Sequence, residues 1–399
     1  MAETITRDTL LYTHAGTRLT PPDSALADGL WLAVQLTSNR SVRISPAAAF
    51  LLVAFMGGQS VGTVLSDVSQ TGVADPESAL TAMSWLRDAG FLVDGSDEGH
   101  RWAEHILRTW GKYEWHATAD YHLSTFDFPF VDYSQPGGIE FDLQLMSIYE
   151  SEEPDLNRTK RYRGAAISIP APTAKAVLDT LQQPFTDAWR RFCAPTEVPS
   201  EPTGRVTREN LLRVMAVTFG QLRTRTVSRN GERRDLIRKT SPSGGSRHPI
   251  EAYAAVINVE DVPPGFYHFC VETNSLDRIA DLPSMSQLEV MFDGPFRSRQ
   301  ELGVEPSVII VMTSVFDRVM WRYREPRTFR TQFIDAGHLN TTLFVASAAH
   351  GYASYSQHGL MDAEIEQLAG VDHLDEGVVY GVAIGVPGTS PEWKKLKKE

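Results

Sequence analysis

The hydrophobic and polar positions of the first hundred residues predict three helices followed by a short strand. The predicted helices are Ser45–Phe55, Val61–Val68 and Pro76–Ala89, and the strand is Phe91–Val93. Pro46 stands in the first turn of the first helix, where its missing N–H costs nothing, and Asp75 stands in the N-cap position of the third. This order predicts a winged-helix-like N-terminal domain over residues 1–105.

The charge of this domain bears on its function, because winged helices often bind DNA. Between Ile44 and Glu98 there are seven acidic residues, and the one lysine or arginine is Arg87. Contacts with phosphate supply most of the affinity for DNA, and an acidic surface repels phosphate. We therefore expect no binding of nucleic acid, and instead a peptide-docking or protein-docking module or a structural cap.

The next stretch, residues 106–165, is rich in aromatic residues and is interpreted as a connecting segment. His105, His116 and His122 raise the question of a metal site. Their spacings do not match those of known metal-binding motifs, and no cysteine or carboxylate stands at a paired spacing. We expect hydrogen-bonded histidines and no metal.

The third stretch, residues 166–399, alternates between helical and strand patterns. Helices are predicted at Thr173–Gln182, Arg208–Phe219 and Ile334–Ala349, and strands at Ile250–Asn258, Phe266–His268, Ser307–Thr313 and Val378–Val386. The turn Pro263–Gly265 predicts that the first two strands pair with each other. The pattern favours an α+β fold, with a sheet flanked by helices.

Composition and charge indicate the cellular compartment in which the protein works. The chain has 399 residues and a formal net charge of -12, and its opening residues lack the apolar core of a signal peptide. Its apolar runs are too short to span a bilayer. The two cysteines are far apart, which predicts neither a disulfide framework nor structural zinc. We expect a cytoplasmic protein that does not bind membranes.

Two segments have the composition of a ligand site. Residues 240–249 contain Gly244 and Gly245, which permit close approach of the backbone to a ligand, although the segment also fits a simple turn-rich loop before a strand. It lacks the Gly-Lys-Ser/Thr of a phosphate-binding P-loop. Residues 322–330 alternate charged and aromatic side chains, which fits either an active-site loop or a solvated loop with ion pairs.

The order of three motifs resembles the azoline dehydrogenases of the nitroreductase superfamily. These motifs are Pro-Ser-Gly-Gly at 242–245, Gly-Phe-Tyr-His at 265–268, and Ile-Asp-Ala-Gly-His at 334–338, which opens a long helix. The resemblance implies an FMN-binding nitroreductase-like fold with an antiparallel or mixed sheet. It further implies a homodimer that binds FMN with residues of both chains and oxidises thiazoline or oxazoline rings in a ribosomally made peptide.

The resemblance also implies which residues bind FMN. Ser241, Pro242, Ser243, Gly244 and Gly245 would lie against the isoalloxazine ring. For the phosphate, the matching position is Arg190. The segment 158–161 looks like a better copy of the phosphate motif but stands too early in the order of motifs. Lys394 is the candidate for a late basic residue that completes the phosphate site, and Arg330 belongs to the charged loop near the cofactor.

The family carries a lysine–tyrosine pair before the long helix, and this chain has Arg322-Tyr323 at that place. Arginine stays protonated, so it cannot act as a base. Tyr323 is therefore the candidate for proton transfer, and Arg322 the candidate for stabilising developing negative charge.

Two other functions remain open from the sequence. The same scaffold also suits an NAD(P)H-dependent flavin reductase that acts on a dehydroamino acid, a nitro group or a quinone, because fold does not fix chemistry. A third possibility is a flavin-free scaffold, in which residues 1–105 dock the precursor peptide for a partner cyclodehydratase.

Overall fold

A computed structural model describes residues 5–23, 28–126, 130–154, 159–180, 205–229, 232–296 and 305–387. The contacts between residues divide the chain into two compact units, Met1–Ile139 and Glu140–Glu399. The division falls at a different place from the boundaries expected at residues 105 and 165.

Unit 1 (Met1–Ile139) combines short strands with five helices in its described residues. In chain order its elements are β1 (Leu10–Thr13), β2 (Thr17–Thr20), β3 (Trp31–Gln35), β4 (Arg40–Ile44), α1 (Pro46–Ala54), β5 (Gln59–Ser60), α2 (Val61–Thr71), α3 (Pro76–Asp88), β6 (Leu92–Val93), α4 (Glu98–Gly111) and α5 (His116–Thr125). One antiparallel sheet has the order β5-β1-β6, and a second has the order β2-β3-β4. The second sheet was not predicted.

The three helices and the short strand predicted for this region are confirmed. Ser45 caps α1 by accepting a hydrogen bond from the Ala48 N–H, and the Asp75 carboxylate accepts from the first amides of α3. Such caps satisfy donors that a helix leaves free at its start. Leu52 and Phe55 are fully buried in the core that these helices share with the sheet.

Helices α4 and α5 explain why unit 1 extends beyond residue 105. Both belong to a small core that includes Ala103 and Leu123, and Leu36 of the β2-β3-β4 region packs against it. The Arg18 guanidinium also donates to the Asp120 carboxylate at 2.8 Å. The apolar and ionic contacts therefore join α4 and α5 to the strands of unit 1.

Unit 2 (Glu140–Glu399) contains the large sheet. Its described elements are α6 (Gly138–Glu152, which begins at the boundary), β7 (Ser168–Pro170), α7 (Ala174–Thr180), α8 (Arg208–Phe219), β8 (Arg223–Arg229), β9 (Glu232–Arg238), β10 (Ile250–Val256), β11 (Gly265–Cys270), β12 (Ser275–Ala280), α9 (Met285–Met291), β13 (Val308–Val315), α10 (Asp317–Met320), α11 (Phe329–Ala349), β14 (Ala353–Gln357), α12 (Asp362–Ala369) and β15 (Glu376–Gly385). The predicted helices and strands of this region are present, although the last two residues of the predicted helix Thr173–Gln182 lie outside the described residues. The elements that were not predicted are α6, β7, the hairpin β8–β9, β12, α9, α10, β14 and α12.

The sheet has seven strands in the order β14-β15-β13-β10-β11-β12-β7, and each neighbouring pair is antiparallel. Strand β10 lies at its centre and is buried along its whole length. Ala252 and Ala254 face one apolar layer, which includes Leu211 of α8 and Leu343 of α11. Tyr253 faces the other layer, formed with α9 and α12. Helices thus cover both faces of the sheet.

The long helix begins earlier than predicted. The pattern placed its start at Ile334, but α11 runs from Phe329, directly after a 3₁₀ turn at Pro326–Thr328. Arg330 therefore lies in the first turn of a helix and not in a loop. No helix in the described ranges is long and apolar enough to cross a membrane.

Candidate active site

The loop at residues 241–245 connects β9 to β10 and ends in a 3₁₀ turn at Gly244–Ser246. Gly245 has φ +57°, a conformation in which a side chain is strained. Ser246 and His248 also have positive φ values, 55° and 47°. Such strain persists only where neighbouring contacts hold the backbone in place, and it is common at ligand sites.

Two serine side chains attach this loop to α11. The Ser243 hydroxyl donates to Oδ2 of Asp335 at 2.6 Å and accepts from the His248 N–H at 2.9 Å. The Ser241 hydroxyl lies 2.6 Å from the Thr342 hydroxyl. Two motifs that are far apart in the sequence, the loop and the Asp-Ala-Gly-His helix, are therefore in direct contact.

Asp335 is the main acceptor of the loop. Its carboxylate is buried, and burial raises its pKa, while hydrogen bonds from the Ser243 hydroxyl and the Gly244 N–H act in the opposite direction. A buried carboxylate needs such donors, because it has lost its contact with water. Asp335 therefore fixes the position of the backbone at Gly244.

Tyr323 lies beside the loop. Its hydroxyl oxygen is 2.6 Å from the position that a Cβ atom would take at Gly245. At Gly244 the corresponding position is open, since its nearest neighbour is the Cβ atom of Thr331 at 3.9 Å. The structure thus brings the candidate proton-transfer residue and the glycine pair together, and it leaves the Gly244 side of the loop open.

Arg322 is engaged by an acidic residue of α6. Its Nη2 atom lies 2.8 Å from both carboxylate oxygens of Asp142, and both side chains are mostly buried. The Arg322 guanidinium also stacks on the Tyr323 ring, at 4.7 Å from the ring centroid. Asp142 thus balances the charge of Arg322, and the guanidinium lies against one face of the Tyr323 ring.

A buried ion pair lies behind the loop. Glu251, the second residue of β10, binds Nη1 of Arg318 in α10 at 2.6 Å, and both side chains are 3% exposed. His268 lies 2.8 Å from the other carboxylate oxygen, and Arg318 donates to the His248 carbonyl at 3.0 Å. Burial alone raises the pKa of Glu251, but Arg318 and His268 lower it to about 2. This pair links the end of the loop to the helix that precedes Tyr323.

Sequence reasoning missed several residues around the loop. The 92-residue separation hid the role of Asp335, and nothing in the sequence pattern linked Asp142 to Arg322. Lys239, three positions before Pro242, is half-buried, and enclosure of its ammonium group lowers its pKa to about 8. Its place next to the loop was the signal that could have identified it.

The other predicted site residues are placed only in part. Pro242 and Gly244 are exposed on the loop, and Arg330 is half-buried at the start of α11. Arg190 and Lys394, the candidates for a phosphate site, lie outside the described residues, as does Arg158. Within the described ranges, no cluster of three or more histidine, cysteine, aspartate or glutamate side chains is arranged to hold a metal ion.

Comparison with known proteins assigns the class of this domain. Residues 201–386 match the sequence model described as the nitroreductase family, so this part of the chain is a nitroreductase domain. The match includes the loop, Tyr323 and most of the seven-stranded sheet. The nitroreductase-like fold predicted from the sequence is therefore confirmed.

Two relatives extend this comparison. The trifolitoxin-processing protein TfxB of Rhizobium leguminosarum bv. trifolii is 24% identical over 343 residues, which cover 83% of this chain and 85% of TfxB. A protein of Methanocaldococcus jannaschii named as a nitroreductase is 27% identical over 135 residues, 33% of this chain and 63% of that protein.

The solved structures that match this chain include a protein of Anabaena variabilis described as a nitroreductase, with a TM-score of 0.42 and 18% identity. The similarity covers 70% of this chain and 46% of the Anabaena protein, so this chain matches about half of its length. The E. coli microcin synthetase McbBCD complex, solved with truncated pro-MccB17 bound, gives a TM-score of 0.36 at 13% identity and covers 70% of this chain and 92% of that chain.

Proposed function

We propose that the protein is an FMN-dependent oxidoreductase that oxidises thiazoline or oxazoline rings in a ribosomally made peptide to thiazoles or oxazoles. The observation that carries the proposal is the position of Tyr323 against Gly245, in a loop that Ser243 and Asp335 hold in place. A proton-transfer group and a loop with an open backbone face are what ring oxidation by a flavin requires.

The residues around the loop suit FMN. The exposed Gly244 backbone offers a surface without a side chain, as a flat ring system needs, and Ser241 and Pro242 adjoin it. Lys239 would place a positive charge near the flavin, and Arg190 and Lys394 remain our candidates for its phosphate. FMN, when bound, would supply the two-electron acceptor for the hydride that the ring loses.

In the proposed reaction, Tyr323 would accept the proton that the azoline ring loses. Aromatisation removes one proton and one hydride from the ring, so the site needs a base close to the ring carbon that carries the proton. In this proposal the Tyr323 hydroxyl, or a water that it holds, takes that proton from a ring bound along the loop next to Gly245. The role of Arg322, with its charge balanced by Asp142, is to fix the plane of the phenol.

The proposed partners are a second copy of the chain and a precursor peptide. The first half of α11 exposes Phe329, Phe333 and Ile334, whose side chains are 45%, 50% and 54% exposed. A group of large apolar side chains on one helix is typical of a covered surface, which supports a homodimer. The name of TfxB, a trifolitoxin-processing protein, supports a role in processing a precursor, and a cyclodehydratase is the enzyme class that would supply the azoline ring.

The test begins with the visible spectrum of the purified protein and its FMN content. Anaerobic mixing with an azoline peptide should bleach the flavin absorbance, and mixing with NADPH should not. Bleaching by NADPH alone, with no reaction of the azoline peptide, would replace the proposal with a flavin reductase. A colourless protein that takes up no FMN would favour the flavin-free scaffold.

Tyr323→Phe tests the role of the phenol. We expect the variant to retain FMN and to lose about 10²–10⁴-fold in turnover of the azoline peptide, the usual contribution of a positioned acid–base group. Tyr380→Phe is the matched control, because its hydroxyl contacts Ser356 on the neighbouring strand. Near-normal turnover by Tyr323→Phe would remove the phenol from the mechanism, whereas loss of FMN would make its role structural.

A further inference from the structure

A cleft lined with basic residues adjoins the loop on the side of the β8–β9 hairpin. It has a volume of about 630 Å³, and Arg223, Arg225, Arg238 and Lys239 contribute all its charged lining side chains apart from His248. We call the cavity that these four residues line the arginine cleft. No ion pair joins any of the four side chains to a carboxylate whose position the structure describes. The cleft is a local positive surface on a chain with a net charge of -12.

The arrangement of the hairpin concentrates this charge. Arg223 and Arg238 are direct partners in the β8–β9 ladder, so their side chains emerge next to each other on the same face. Like charges directly opposite each other destabilise a strand pair unless something compensates them. Asp235 does not compensate them, because it accepts a hydrogen bond from Thr226 on the opposite face of the hairpin. Since no described carboxylate balances the pair, it points to an anionic ligand.

The position and exposure of the cleft indicate which ligand this is. Ser241 and Ser243 line the same cleft, so a ligand bound there touches the loop at which the flavin is proposed to bind. Arg223 and Arg225 are exposed to solvent, as suits a group that binds from solution and leaves again. Guanidinium groups bind carboxylates with paired hydrogen bonds.

We propose that the arginine cleft binds acidic side chains of the peptide substrate, next to the ring that reacts. This inference rests on the proposed function and makes it more specific, because it selects azoline peptides with glutamate or aspartate near the ring. The cleft then positions the peptide along the loop, while Tyr323 acts on the ring itself.

The experiment uses two fluorescent azoline peptides that differ only in having two glutamates or two glutamines beside the ring. Binding to the FMN-loaded protein is measured by anisotropy at low and high salt, separately from turnover. We expect the acidic peptide to bind about tenfold more tightly at low salt, with the difference shrinking as salt screens the charges. Arg225→Glu should abolish the preference and keep the FMN content. Arg108→Glu, an equal charge change on α4 of unit 1, should keep the preference.

A third peptide, with two lysines beside the ring, should bind Arg225→Glu better than it binds the wild type. Equal binding of the acidic and neutral peptides by the wild type would overturn the inference. So would loss of FMN from both Arg225→Glu and the milder Arg225→Gln, since the cleft would then hold the cofactor. Selective binding of the acidic peptide without any ring oxidation would keep the inference and remove the proposed oxidation, so the two failures can be distinguished.

Discussion

Replacing Gly245 with alanine tests the contact between the loop and Tyr323. The cost has two parts. A residue with a Cβ atom pays about 1–2 kcal/mol for the left-handed conformation at φ +57°. The new Cβ atom would also lie 2.6 Å from the Tyr323 hydroxyl oxygen, and relieving such a clash costs about 1–3 kcal/mol. We expect Gly245→Ala to destabilise unit 2 by about 2–5 kcal/mol, from the sum of these two estimates.

A second substitution separates the two parts. In a Tyr323→Phe background the nearest atom to the new Cβ is the ring carbon Cζ at 3.4 Å, which is an ordinary contact. Gly245→Ala should then cost only the conformational part, about 1–2 kcal/mol. Gly244→Ala is the matched control, because nothing lies closer than 3.9 Å to its Cβ position. It should leave the stability of the FMN-free protein unchanged, and a bulkier side chain there should weaken FMN binding.

The measurement is thermal unfolding of the FMN-free protein, in which each kcal/mol shifts the melting temperature by about 2–4 °C for a domain of 150–250 residues. A double-mutant cycle over Gly245→Ala and Tyr323→Phe gives the coupling between the two sites. Additive effects, with Gly245→Ala costing the same in both backgrounds, would show that the phenol does not touch the loop.

Three further predictions concern the groups that hold the loop and Tyr323 in place. Arg322→Lys keeps the charge that pairs with Asp142 but loses the planar guanidinium that lies on the Tyr323 ring, so turnover should fall, but less than in Tyr323→Phe, in a peptide-oxidation assay. Asp335→Ala leaves the Ser243 hydroxyl and the Gly244 N–H without their acceptor and should cost about 1–3 kcal/mol, with faster hydrogen exchange at Gly244 than in Asp335→Asn. Glu251→Gln should destabilise unit 2 by about 3–5 kcal/mol at neutral pH, because it leaves the Arg318 charge buried and unpaired. The wild type loses the same pair as the pH falls from the ordinary carboxylate range towards the lowered pKa of Glu251, about 2, so the difference in unfolding free energy between the two proteins should shrink over that interval.

The sequence was informative wherever a local pattern determined the structure. The helix α8 has the bounds predicted for it, because an N-capping threonine, an apolar face and Gly220 mark its ends. Strands such as β10 were visible as buried apolar runs. The start of α11 was misplaced because its first turns expose Phe329 and Phe333, whose apolar side chains break the amphipathic pattern of a helix that faces water on one side.

The composition of the site could be predicted in part. Tyr323 and the loop were found by resemblance, and the structure places them in contact. Their anchors were not found, because Asp335 and Asp142 act through space across long separations in the sequence. The arginine cleft was missed for a related reason, since the pairing of Arg223 with Arg238 exists only once the hairpin register is known.

The bond between Ser243 and Asp335 also bears on how the chain folds. It joins residues 92 positions apart, and β10, β11, β12 and β13 all lie between them in the chain. Contacts of such long range form late, because the entropy of closing the intervening chain must be overcome first. On a ribosome the strained turn at Gly245 has its local hydrogen bonds but lacks the contact with Asp335 until α11 has been synthesised and has docked on the sheet. The protein therefore acquires its binding surface as one of its last folding steps, and a chain interrupted before Asp335 contains the loop sequence without the contact that shapes it.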